Sequence, residues 1–299
     1  MGEFIKKNIV ILGIETSCDD TCAAVVANGS SILSNVVATQ NQIHEKYGGV
    51  VPELASRRHV EVIGVIIAEA ILQSGLTLDD IHAVSVTNRP GLIGSLVVGV
   101  GAAKAIAYAK KIPFIAVNHL KAHLFSNMLV NPEMGGGFIG LIVSGGHSSL
   151  YNVEPDWKIS EIGHTVDDAA GEAFDKIARF LNLGYPGGPV IDRLAKQGDA
   201  TKIELPKPMM GSGDFNFSFS GLKTALIYKT KKEPQITNPS NLKDLVASFQ
   251  NSIVEVLVEK TIRACTKFGY KKILVSGGVA ANSRLREHFA ARARQENIE

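Results

Sequence analysis

Two short stretches constrain this chain more than any others. Ile139-Gly-Leu-Ile-Val143 is an apolar run that stops at Ser144-Gly145-Gly146, and Ile273-Leu-Val275 stops in the same way at Ser276-Gly277-Gly278. Apolar runs this short, closed by glycine, read as buried strands ending in a turn. Glycines at the carboxyl end of a strand leave the backbone N–H groups unobstructed by a Cβ. Successive N–H groups in such a turn form a nest that suits a phosphate. Either stretch alone is equally an ordinary strand-to-turn junction. The shared Val-Ser-Gly-Gly makes them read as two halves of one ligand cleft.

The amino-terminal part has its own strand pattern. Asn8 to Ile14 reads as a strand, Glu15-Thr-Ser-Cys-Asp-Asp-Thr21 as a polar turn, Cys22 to Asn28 as a second strand and Ser31 to Ala38 as a third. A meander with a polar first turn is how the actin, sugar-kinase and Hsp70 class of nucleotide-binding fold begins. In that class Thr16, Ser17, Asp19 and Asp20 would face the phosphates or their metal, for which Mg2+ is the natural ion. The same residue types also favour turns for purely local reasons.

Beyond a polar stretch over 42–58, apolar residues at Val62, Val65, Ile66 and Ala70 set a helical period from Glu53 to Gln73. Arg57, Arg58 and His59 on it are expected either on a solvated face or against a phosphate backbone. Ile81 to Val86 is a strand, and Thr87 to Ser95 a loop that opens a helix running to Lys110. Gly94, Gly99 and Gly101 lie in that helix. Each costs about 1 kcal/mol relative to alanine, so a close approach by another element or a ligand is expected there. After a strand at Phe114 to Val117, His119 and His123 stand four apart on the first turns of a helix. Their imidazoles then share one face and can share a metal ion. Leu120 stands where an H-E-x-x-H protease carries its glutamate, which counts against peptide hydrolysis.

The second half adds strands at Ser148 to Val153 and Trp157 to Gly163, then a helix over Asp167–Arg179. On it Asp168, Glu172, Asp175 and Arg179 are expected to form one polar stripe. Tyr185-Pro-Gly-Gly-Pro189 is a tight turn into another helix, 202–217 is loop, Ser218 opens a helix and 233–240 is a connector. Leu242 to Lys267 is a long amphipathic helix stopped by Gly269. Asn282 starts a last helix over Ser283–Gln295, as a cap, a ligand contact or both.

The bulk numbers narrow the class. With 299 residues, 45% of them hydrophobic, the chain can bury one large or two medium cores. A net charge of +2 neither requires nor excludes nucleic acid. Cys18, Cys22 and Cys265 are an odd set without Cys-x-x-Cys, which fits a reducing compartment and disfavours a structural zinc knot. Lys6 and Lys7 precede an apolar run, Ile9 to Ile14, too short for a signal peptide or a membrane span. A soluble cytoplasmic protein is expected, and Met1 to Phe4 reads as a vector remnant of no weight.

Gly13-Ile-Glu-Thr-Ser-Cys-Asp-Asp-Thr21, Asn118-His-Leu-Lys-Ala-His123, Val143-Ser-Gly-Gly-His147, Phe174-Asp-Lys176, Tyr185-Pro-Gly-Gly-Pro189 and Gly277-Gly-Val-Ala-Ala-Asn282 occur in one order. That ordered set resembles the TsaD family, the tRNA N6-adenosine threonylcarbamoyltransferases once labelled O-sialoglycoprotein endopeptidases. The resemblance spans Ile9 to Ala293. It implies an α/β, actin/Hsp70/sugar-kinase-like (ASKHA) two-domain fold, with duplicated RNase H-like units and a cleft between the lobes. The lobes are expected at 8–137 and 138–299, with a helical insertion at 165–240. The implied activity moves a threonylcarbamoyl group from threonylcarbamoyl-AMP to N6 of the adenosine beside the anticodon in tRNAs reading codons that begin with A.

Carried across, the resemblance makes His119 and His123 ligands of one divalent metal, iron or zinc. It makes Ile142, Val143, Ser144, Gly145, Gly146, Asp175, Gly188, Asp192 and Asn282 the residues that hold the adenylate or nucleotide. It also implies a third metal ligand, an aspartate in a segment beyond Glu299, and TsaB-like and TsaE-like protein partners. Lys121-Ala122 replaces the usual Glu-Gly between the histidines, which changes the charge beside the metal. Asp19 is the first candidate for accepting the proton of the attacking amine. The rival readings are an ATPase or phosphotransferase of the same fold, a metalloendopeptidase, and a non-catalytic scaffold similar to TsaB.

Overall fold

The structure is a computed structural model that describes residues 8–129, 131 and 134–299. Lys6, Lys7 and the opening tetrapeptide lie outside the described residues. The chain divides into two units, one ending at Met134 and one beginning at Gly135.

The first unit contains β1 (Val10–Glu15), β2 (Asp20–Ala27), β3 (Ser31–Thr39), α1 (Asn41–Glu45), α2 (Pro52–Ser74), β4 (Ala83–Arg89), α3 (Ile93–Lys110), β5 (Phe114–Asn118) and α4 (His119–Phe125). Its five-stranded sheet has the order β3-β2-β1-β4-β5. β1, β2 and β3 form an antiparallel meander, and β4 and β5 run parallel to β1. Val10, Leu12 and Ile14 alternate with less buried residues along β1, so the strand period sends them to one face. There they meet Ile67 and Ala70 of α2 and Ala103 of α3 in a common core. Glu15 falls on the other set of positions, with Ile11 and Gly13.

The second unit contains β6 (Phe138–Val143), β7 (Ser148–Val153), β8 (Ile159–His164), α5 (Ala170–Phe180), α6 (Gly187–Ala195), α7 (Ser220–Lys232), α8 (Pro239–Phe268), β9 (Ile273–Ser276) and α9 (Ser283–Glu296). Its sheet has the order β8-β7-β6-β9, again an antiparallel meander with a parallel strand added on the far side of its first strand. The two sheets therefore share one plan. α8 is the spine of this unit: Leu245, Phe249, Ile253 and Leu257, each four residues on from the last, are fully buried. Burying each such side chain is worth roughly 1.5–3 kcal/mol, and Phe249 also meets Phe174 of α5 edge to face at 5.8 Å.

Two expectations need correction. α5 begins at Ala170, so Asp168 precedes the helix and is not part of a stripe on it; its carboxylate pairs with Lys176 at 2.7 Å and Lys223 at 3.7 Å. His59 is fully buried, so it does not lie on a solvated face. Its Nδ1 lies 2.7 Å from Thr21 Oγ1 and its Nε2 2.9 Å from Cys18 O, which ties α2 to the polar turn. Arg57 and Arg58 are exposed and pair with Glu53 and Glu61. The 202–217 loop is irregular but not peripheral: it delivers Phe215 and Phe217 to the core.

Candidate functional site

The sequence-derived site residues fall into two groups, one in each unit. In the first unit the polar turn after β1 is held from several sides. Thr16 Oγ1 donates to Ser95 O at 2.8 Å, and Leu92 N donates to Ser17 O at 2.8 Å. The glycines of α3 explain how it comes so close. A Cβ on Gly99 would lie 2.3 Å from Thr16 Oγ1, and one on Gly94 2.4 Å from Ser56 Oγ. The partner anticipated for these two glycines is therefore the protein's own turn and α2, whereas a Cβ on Gly101 would meet nothing within 4 Å, so the expected approach is not found there.

Asn118 starts α4 by accepting from Leu120 N (2.9 Å) and Lys121 N (3.1 Å), two of the helix's orphan donors. His119 is then the first helical residue and His123 sits one turn on. Their Nε2 atoms face each other at 3.2 Å, with ring planes at 82°. His119 Nδ1 lies 3.0 Å from Glu15 Oε2 and 3.2 Å from Ser17 Oγ. Glu15 in turn accepts from Thr87 Oγ1 at 2.5 Å and from Ser17 N. Burial alone would raise the Glu15 pKa. The hydrogen bond and charge of His119, with the Ser17 and Thr87 hydrogen bonds, outweigh burial and bring it to about 2.

The imidazole pair suits a metal of the N-binding kind. With metal–nitrogen bonds of about 2.0–2.1 Å, two neighbouring ligands of a tetrahedral ion stand about 3.3 Å apart, close to the observed 3.2 Å. A cluster of three or more His, Cys, Asp or Glu side chains in ligating positions is absent among the described residues. Cys22 is not a ready thiolate ligand, since burial first and then neighbouring carboxylates push it up to about 12. Lys121, between the two histidines, is exposed. Asp19 is half-buried beside Cys18. The carboxylate on the imidazoles is instead Glu15, which the motif contained and sequence reasoning did not single out. Its signal was its place at the end of β1, on the positions that alternate away from the core.

In the second unit the two Ser-Gly-Gly corners are neighbours. β6 and β9 pair in parallel with Ile142 opposite Ser276, so both corners leave the same end of the sheet. A Cβ on Gly277 would lie 2.4 Å from Val143 O. The remaining residues close a ring. Gly171 N donates to Ser144 O at 3.2 Å, joining the first corner to α5. Asp175 on α5 accepts from Gly187 N at 2.7 Å, placing Gly188 at the start of α6. Asp192 on α6 accepts from Ser283 Oγ at 2.8 Å and from Ser283 N at 3.3 Å, which leads to α9 and back to the second corner. Asn282 caps α9 through Leu285 N (3.0 Å) and donates to Gln250 Oε1 at 2.8 Å.

The N–H groups of Gly145 and Gly146 have no acceptor among the described residues, and both glycines are exposed. Burial pushes the Asp175 carboxyl upward, partly opposed by Gly187 N–H. Beside the ring lies a cavity of 510 Å3, lined by Ala195 and Ala247 and by the polar Lys196, Thr201, Gln250 and Ser283.

Comparison with known proteins decides the family. The family model for TsaD, tRNA N6-adenosine threonylcarbamoyltransferase, matches residues 31–299. The chain belongs to the TsaD family. The tRNA N6-adenosine threonylcarbamoyltransferase of Caldicellulosiruptor bescii is 50% identical over 291 residues, covering 97% of this chain and 86% of its own. That of Bacillus cereus strain ATCC 10987 is 49% identical over 301 residues, covering 100% of this chain and 87% of its own. Among solved structures, full-length HypF in its phosphate- and nucleotide-bound form aligns at TM-score 0.63 and 14% identity, covering 98% of this chain and 52% of its own. An activator of 2-hydroxyisocaproyl-CoA dehydratase with bound ADPNP aligns at 0.54 and 14%, covering 98% of this chain and 87% of its own. These likenesses place this TsaD-family chain in the actin-like kinase fold class.

Proposed function

We propose that this chain transfers the threonylcarbamoyl group of threonylcarbamoyl-AMP to N6 of the adenosine beside the anticodon of tRNAs reading codons that begin with A. The observation that carries the reading is near-50% identity to named transferases across almost the whole chain. The exocyclic amine attacks the carbamoyl carbon, a C–N bond forms, the C–O bond to phosphate breaks, and AMP leaves. The donor is already activated, so no nucleophilic side chain is needed. Gly145 and Gly146 present two fixed N–H dipoles for the phosphate, worth most where charge develops on departure. Asp175, Gly188, Asp192 and Asn282 orient the nucleotide, which holds the carbonyl ready for attack.

His119 and His123 would hold one divalent metal, iron or zinc. When bound, it supplies Lewis acidity toward a substrate oxygen. Asp19, on the same turn as Ser17, is the candidate acceptor for the amine proton. Exposed apolar side chains on α2 (Val60, Val65, Leu72) and α3 (Ile93, Val97, Tyr108) suit a TsaB-like partner, with a TsaE-like protein as the further one. A tRNA substrate fits a cytoplasmic protein.

The test supplies threonylcarbamoyl-AMP, both partners and unmodified tRNA, and reads nucleosides by mass spectrometry. Threonylcarbamoyl-adenosine is expected, and its loss in His119→Ala/His123→Ala. No product in the complete mixture would overturn the transferase reading; product that persists in the double variant would remove the metal from it.

A further inference from the structure

Glu15 is an unusual carboxylate for its surroundings. Its side chain and that of His119 are both largely covered, and among the described residues its ion-pair partner is that histidine, with no lysine or arginine beside it. Three donors fix the carboxylate: Ser17 N on Oε1, and Thr87 Oγ1 and His119 Nδ1 on Oε2. A carboxylate held so firmly leaves the ring little rotational freedom. It also selects a proton position, because an ionised carboxylate only accepts, so Nδ1 must carry the hydrogen.

If Nδ1 is the donor, Nε2 of His119 carries the lone pair, and that atom faces His123 Nε2 at 3.2 Å. We propose that Glu15 is a positioning residue that holds His119 in its Nδ1–H tautomer and in the ring orientation needed for an N-binding divalent cation between the two Nε2 atoms. The role rests on the metal reading above. Thr87 and Ser17 serve it one step further out by fixing the carboxylate. Carboxylate partners of ligating imidazoles set both tautomer and basicity, and removing one typically lowers metal affinity about 10–100-fold.

The experiment has two readouts, neither of them enzymatic. In the metal-free protein, long-range 1H–15N correlation of the imidazoles reports each tautomer; His119 is expected as Nδ1–H in wild type and as a shifted mixture in Glu15→Ala. With Zn2+ alone as the probe, competition against a chromophoric chelator gives Kd. Glu15→Ala is expected to weaken binding about 10–100-fold, and the isosteric Glu15→Gln to fall between it and wild type. Thr87→Val, which touches the carboxylate and not the ring, is expected to show the smallest loss. Thermal melts identify any variant that has lost its fold, and Glu15→Gln and Thr87→Val then carry the test. An Nε2–H His119 in wild type would overturn the proposal. So would His-dependent Zn2+ binding that both Glu15 variants leave within twofold. Zn2+ binding that survives in His119→Ala/His123→Ala would instead overturn the metal reading, while the tautomer measurement still decides the role of Glu15.

Discussion

The two corners that end β6 and β9 have the same four residues, Val-Ser-Gly-Gly, yet the fold uses them differently. After β6 the chain turns back into β7, and a Cβ on Gly145 or Gly146 would meet nothing within 4 Å. After β9 the chain swings into a short 3-10 turn, Gly278–Ala281, and then α9. Gly277 there has φ +96 and lies against Val143 O, while a Cβ on Gly278 would be unobstructed. Gly277 is therefore demanded by the fold: no other residue fits both its backbone angle and its neighbour. The glycines of the first corner are demanded neither by packing nor by a left-handed backbone angle.

This contrast breaks first at its strongest point. Gly277→Ala combines a strained φ with a contact of 2.4 Å to a carbonyl oxygen of the neighbouring strand. A loss of about 3 kcal/mol or more is expected from strain and overpacking together, read as a lowered denaturation midpoint. A variant as stable as wild type would show that the two corners can move apart.

Gly171→Ala attacks the first corner from α5. Its Cβ would stand 2.5 Å from Ser144 O and 2.7 Å from Gly145 Cα. Alanine should gain about 1 kcal/mol of helix propensity against an overpacking cost of about 1–3 kcal/mol, so the net loss is modest. The displaced corner should weaken AMP binding more than stability, measured by calorimetry. Gly145→Ala and Gly146→Ala should leave stability within about 0.5 kcal/mol while lowering AMP affinity. Unchanged affinity in both would assign the first corner to ordinary turn chemistry.

Much of this was legible in the residues. Apolar runs and their glycine stops gave both corners, the four-residue spacing gave the imidazole pair, and the long apolar period of α8 gave the spine of the second unit. What escaped depends on contacts far apart in sequence. The period of β1 says which face Glu15 occupies and not that an imidazole from α4 will meet it. His59 looked like part of a charged run because its two partners, Thr21 and the Cys18 carbonyl, come from another element. Lys260 is fully buried on α8, where a lysine suggests solvent. Ser212 Oγ at 2.8 Å, the Asn216 carbonyl and the Asp214 carboxylate satisfy it from an irregular loop with no period to read. Asp168 shows the local limit: an aspartate just before a helix and one in its first turn look alike in a repeat.

The smallest effect expected is also the most discriminating between the corners, because it changes one oxygen atom in each. Ser144 Oγ accepts from His147 N at 3.2 Å and so helps to close the β6–β7 turn; Ser144→Ala should lose about 0.5–1.5 kcal/mol. Ser276 Oγ is buried and has no partner among the described residues. A hydroxyl desolvated without compensation opposes folding, so Ser276→Ala should leave stability unchanged or raise it by up to about 1 kcal/mol. If that hydroxyl is kept for a nucleotide, the same variant should show a smaller rise in Tm on adding AMP than wild type does. Thermal melts of both variants with and without AMP give all four quantities. Equal losses in the two ligand-free variants would mean that Ser276 has a structural partner after all and that the corners differ less than their glycines suggest.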